Sequence, residues 1–295
     1  MLTLPLLRSN AQVNDDVLRL LAAFDVHPAD DRLTRVDDAL QAADWHNALK
    51  WPTRDQLQTR LPEILPYFRK WGFAGREMIG ASTGSYAIIP AAMAHLTWTV
   101  IETALVNIRS AMSTQPNRVY LLASSVRKLG ASEKDFLRGK GVAVGGGDVT
   151  EDVMMRLIWD KVVSPCYHRD VRPHCLEVGC AEVVATAEVG PWSAGGNVGF
   201  MDTVLALKTQ CAPQRFAPGL LSLHSAEPYG ARQVLELEFV MGQGYNVNRF
   251  EVQRGEKILV AGLLSELAKY LHDLRIFGGH PQSDLAGLAA RESMR

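Results

Sequence analysis

The sequence predicts an α+β or mixed α/β protein. A helical N-terminal region leads into a mixed sheet with packed helices and an antiparallel C-terminal hairpin. Three observations predict it. Residues 1–71 hold no glycine and repeat apolar residues at helical spacing. Strand-like runs then stand both between helices and beside one another. The run "RQVLELEFVM" alternates apolar and polar residues, and "VNRFEV" follows it after a short glycine-containing turn.

Taken in order, Asn14 can cap a helix over "DDVLRLLAAF", where Val17, Leu18, Leu21 and Phe24 recur on one face. "RLTRVDDALQAAD" continues with Leu33, Val36 and Leu40. A third helix opens near Thr53, and Pro62 and Pro66 must kink or divide it. Trp45, Trp51 and Trp71 are anchors between helices or towards a neighbour. Glycine returns at Gly72, Gly75, Gly80 and Gly84, so the domains expected are 1–75 (helical), 76–280 (mixed core) and a polar tail, 281–295. A long apolar helix is predicted from about Tyr86 to Ser113 with Pro90 in its first turn.

Strands are predicted over 118–126 and 141–144, and a helix after "GGGDV", where Asp148 and Glu151 have capping-box spacing. "HCLEVGCAEVVATAEV" reads as one or two strands, and "NVGFMDTVLALKTQ" as a helix capped by Asn197. In "RQVLELEFVM", Leu235, Leu237, Phe239 and Met241 share one face of a half-exposed strand. Residues 256–276 form a helix ended by Gly278 and Gly279.

Composition excludes some functions. The formal net charge is −1 and there is no basic run, so nucleic-acid binding through bulk charge is not expected. Four unevenly spaced cysteines in 295 residues are not a disulfide framework, which points to a reducing, cytoplasmic setting. "MLTLPLLRSNAQ" meets Arg8 too early for a secretory signal. Met78–Ile101 lacks Asp, Glu, Lys and Arg, but its proline, histidine, glycines and hydroxyls suit a buried helix better than a membrane span.

Three stretches could carry chemistry. "SPCYHRDVRPHCLEVGC" (164–180) gathers thiols and imidazoles, yet adjacent His174 and Cys175 diverge in an extended chain and Cys180 falls on the opposite face from Cys175. Cys166, His168 and His174 are the three that could share an ion, and zinc is the one cofactor these residues admit; otherwise none is expected. The simpler expectation is a turn around Pro165 and Pro173 leading into a buried strand. "GASTG" (80–84) fits G-x-S-x-G with Ser82 as nucleophile, to be served by candidates such as Asp202, His224 or His280, though no glycine-rich oxyanion loop precedes it. "VAVGGGDVTEDV" has the outline of a phosphate loop, but Asp148 and Glu151 stand where the phosphate would, so a capped turn is expected. "WSAGGN" and "GQGYNVN" are loops open to a ligand.

No catalytic constellation is complete, whereas packing residues are abundant, with six tryptophans. The function expected is therefore a non-catalytic structural or assembly protein that self-associates into a homo-oligomer. It would be a shell or scaffold subunit, within the cytoplasm or a particle assembled there. The alternative is a cytoplasmic enzyme, either a serine hydrolase or acyltransferase using Ser82 or a metal-dependent enzyme using the 166–174 group.

Overall fold

A computed structural model describes residues 6–8, 11–74, 86–110, 118–170, 181–190, 197–210, 219–242, 245–254 and 257–278. In chain order the first elements are β1 (Leu7–Arg8), β2 (Gln12–Val13), α1 (Asp15–Ala22), α2 (Leu33–Ala42), two 3-10 turns (Trp45–Lys50 and Gln56–Arg60) and α3 (Leu61–Lys70). Then come β3 (Tyr86–Pro90), α4 (Ala94–Ser110), β4 (Arg118–Ser124), α5 (Ala131–Gly139) and α6 (Glu151–Asp170). The chain continues with β5 (Ala181–Thr186), α7 (Phe200–Gln210), β6 (Leu220–Ala226), α8 (Gly230–Met241), β7 (Asn246–Val252) and α9 (Val260–Gly278).

The chain divides into two units. The first comprises residues up to Glu77, Glu227–Leu235 and the chain from Gln253 onward, so α9 joins the N-terminal helices. Asn14 caps α1 as its sequence predicts, its side-chain oxygen accepting the Val17 amide at 3.0 Å. Pro62 lies in the first turn of α3, where its missing N–H costs nothing, and the 3-10 turn ends just before it. Val17, Leu21, Leu40, Trp45, Ile64, Phe68, Trp71, Leu267 and Leu271 belong to one buried cluster. Aromatic edges bind it: Phe73 meets Phe68 at 5.7 Å and Tyr270 at 5.5 Å between ring centroids.

The second unit, Met78–Ala226 with Glu236–Val252, is a five-stranded sheet in the order β5-β4-β3-β6-β7. All four strand pairings are parallel. α6 and α7 both pack on β4 and β5, and α4 packs beside α6. The architecture is mixed α/β, and its sheet corrects the expected antiparallel hairpin.

Two errors of period explain that correction. "RQVLELEFVM" is helix α8, and among its buried residues Gln233, Glu236, Leu237, Val240 and Met241 fall at spacings of three and four. A run of Leu, Glu and Gln favours helix on propensity, and apolar alternation alone does not outweigh it. As a crossover between β6 and β7, it makes those neighbours parallel.

Conversely, Tyr86–Pro90 is not the start of a helix but the central strand, buried at every residue. A strand covered on both faces reads as one apolar run, and Pro90 closes it before α4 begins. Residues 141–144 form no strand, and the isolated bridge in this connection joins Lys128 to Thr150. Asp148 binds Lys128, so the expected Asp148–Glu151 box is not what starts α6. α6 runs through Pro165, so the chain does not turn there, and Cys166 and His168 belong to its backbone; Pro173, Cys175 and Cys180 lie outside the described residues. No helix among the described residues is long and apolar enough to cross a membrane.

Candidate functional site at the carboxyl edge of the sheet

The strand order defines where the second unit can hold a ligand. β3 pairs with its sequel β4 on one side and with β6 on the other. The order therefore reverses between β3 and β6. In open parallel sheets such a switch leaves a crevice outside the carboxyl ends of the strands, because the following connections leave in opposite directions.

Ser124 ends β4. Its hydroxyl accepts the amides of Val126 (3.2 Å) and Arg127 (3.1 Å), which turns the chain sharply and fixes Arg127 at this edge. The Arg127 guanidinium then spans two carboxylates. Nη2 lies 3.0 Å from both oxygens of Glu133, and Nη1 donates to Glu151 at 2.9 Å. Glu151 also accepts the Ser124 amide at 3.1 Å, while its own amide donates to the Arg127 carbonyl. Side-chain exposure is 37% for Arg127, 6% for Glu133 and 12% for Glu151, so the cation is the member that faces solvent.

Glu133 decides what this edge does not bind. Its oxygens accept the Gly130 amide, completing the start of α5, and the Ala94 amide at the start of α4, each at 3.1 Å. The α4 N-terminus after the central strand is where a doubly wound sheet commonly seats a phosphate. Here an internal carboxylate satisfies it, and Thr97 Oγ1 accepts the Ala92 amide at 2.9 Å. Burial raises the Glu151 carboxyl above its ordinary value, with Arg127 and the Ser124 amide pulling the other way. A carboxyl held towards its protonated form beside a part-exposed guanidinium can exchange a proton and can release the cation to an anionic ligand.

His224 sits in β6 at 1% exposure, stacked on Phe250 with ring centroids 4.9 Å apart. Burial lowers its pKa to about 3, so its ring is neutral. Asp202 is buried in the first turn of α7 and accepts the Gly190 and Gly199 amides, taking the capping role expected of Asn197. Ser82, His174 and His280 lie outside the described residues, and only the backbone of Cys166 and His168 is described. The element after "GASTG" is strand β3, not the helix that a nucleophile elbow requires.

Arg127, Glu133 and Glu151 were not singled out as a site from the sequence. Gly130-x-x-Glu133 carries half a capping box, but nothing in its spacing announces Arg127. In the first unit, Asp37, His46 and His272 are the described residues grouped so that they could hold a metal ion. Compared with known proteins, the chain matches no family model, no curated protein and no solved structure.

Proposed function

We propose that the chain is an enzyme acting on a small anionic molecule, bound at the carboxyl edge of the parallel sheet. The observation that carries this reading is the strand order, whose switch lies between β3 and β6, one strand from the Ser124–Arg127 turn that ends β4. Arg127 docks the anionic group, and Glu151 exchanges a proton with the ligand. Glu133 is a positioning residue that holds Arg127 and closes the α4 amides to phosphate. A reducing, cytoplasmic location belongs to the same reading.

Thermal shift of the full chain against a panel of small carboxylates, sulfonates and phosphates tests it. A ligand at about a hundredfold its Kd stabilises by about 2.7 kcal/mol. The reading expects carboxylates to raise Tm in the wild type and to lose that effect in Arg127→Gln. Shifts that survive Arg127→Gln would count against it.

The other reading, a shell or scaffold homo-oligomer, drew on tryptophan content. Trp45, Trp71, Trp98 and Trp159 are buried within the fold, and the exposed large apolar residues are spread over separate elements. Light scattering that returns a clean monomer at micromolar concentration would end the assembly reading. The 166–174 metal group and Ser82 remain narrower forms of the enzyme reading. Metal content in Cys166→Ser and ester hydrolysis in Ser82→Ala test them.

A further inference from the structure

We propose that Asp37, His46 and His272 form a binding site for a divalent transition-metal ion, with zinc as its best occupant. All three belong to the first unit. Asp37 comes from α2, His46 from the 3-10 turn that follows, and His272 from α9. Ser265 on α9 donates to the His46 carbonyl at 2.8 Å, which pins the turn against the helix that carries His272. A carboxylate oxygen of Asp37 and one ring nitrogen from each histidine lie within 4.8 Å of one another. Tetrahedral zinc at 2.0–2.1 Å from each ligand sets those atoms about 3.4 Å apart, so the cluster need close by no more than about 1.4 Å.

A second observation points to a ligand. Asp37 is fully buried, and its Oδ2 is heavily used: Gln41 donates at 2.9 Å, His272 Nδ1 stands at 3.0 Å and Arg275 donates at 2.8 Å. Its Oδ1 is equally buried and has no hydrogen-bond partner, and neither has His46 Nε2. Buried polar atoms are nearly always satisfied, and two of them in one cluster of metal-ligating types is the signature of a missing third party. Two imidazoles and a carboxylate suit a borderline ion such as zinc and leave a fourth position open.

The protonation states agree with that geometry. Burial lowers the His46 pKa, with Asp37 opposing, so the imidazole is neutral and its lone pair is available. Burial works against the charged Asp37, but the hydrogen bonds from His272 and Arg275 outweigh it and keep the carboxyl ionised. Arg275, shared with Asp38 at 2.6 Å, is the feature that opposes a cation. It neutralises Asp37 before any metal arrives, which limits affinity and gives the proposal a test with a definite sign.

The full chain, stripped with a chelator, is titrated with zinc by calorimetry and with cobalt by its visible spectrum. One ion should bind per chain, with cobalt giving the absorption of a low-coordinate nitrogen and oxygen site. His46→Gln and His272→Gln should each weaken zinc binding at least tenfold, and Cys166→Ser should leave it unchanged. Arg275→Gln should tighten it several-fold, whereas in a cluster that is only an ion-pair network it would lower Tm and leave metal binding alone. A zinc Kd weaker than about 1 mM in the wild type would overturn the proposal, as would affinity untouched by both histidine changes. Where a histidine variant does not fold, Arg275→Gln decides, and unchanged affinity there overturns it.

Discussion

Arg127 and Glu133 meet so that one guanidinium nitrogen lies 3.0 Å from both carboxylate oxygens, and the same carboxylate holds the first amide of α4. One side chain thereby ties the end of β4 to the starts of two helices. Arg127→Gln should cost about 2 kcal/mol, the scale of a charge-assisted hydrogen bond left unmade beside two largely buried carboxylates. Urea denaturation measures it. A loss of a few tenths would mean that solvent screens the pair.

Glu151 gives the site a pH dependence. Its carboxyl is raised above the ordinary 4.5 by burial, so it gains its proton at a higher pH than an ordinary glutamate does. Protonation loosens Arg127 from one of its two carboxylates, and affinity for a small carboxylate ligand should therefore rise as pH falls through that raised pKa. Glu151→Gln should flatten the profile, as read by titration calorimetry at each pH.

His224 should set part of the acid limit of stability. Its folded pKa is about 3 against an ordinary 6.5, so between those values the unfolded chain accepts a proton that the folded chain refuses. The histidine's contribution is complete above pH 6.5 and is lost as pH falls, at up to about 1.4 kcal/mol per pH unit. His224→Phe should remove that slope. Because both ring nitrogens lack hydrogen-bond partners, it should also change stability at pH 7 by no more than about 1 kcal/mol.

Glu266 is buried at 1% exposure between Arg232, at 2.8 Å, and Lys269, at 3.3 Å. Desolvation opposes its charge, but the two cations prevail and hold its pKa below the ordinary value. Removing Arg232 strands that charge, so Arg232→Met should cost about 3 kcal/mol in chemical denaturation. A cost below about 1 kcal/mol would mean that Lys269 alone suffices.

The helices of the first unit were legible because their stripes repeat at three and four residues and one is capped by Asn14. The sheet was less so, because Tyr86–Pro90 is covered on both faces and carries no period, while α8 carries a misleading one. Asp37 did leave a trace: it fills the stripe Leu33, Val36, Asp37, Leu40, where a lone carboxylate must find partners. Those partners, His272 and Arg275, lie more than two hundred residues away, and no local spacing encodes such a meeting. Arg127 and Glu151 likewise meet only because an antiparallel bridge between Lys128 and Thr150 returns the chain from α5 to the end of β4.

The claim that the carboxyl edge of the sheet is the binding site is tested most directly by amide chemical-shift mapping. The full chain is titrated with the carboxylates that raise its Tm. Perturbations should centre on the amides of Ala91–Ala94 and Ser124–Arg127 and vanish in Arg127→Gln. Perturbations centred away from those two segments, or unchanged by that substitution, would contradict it.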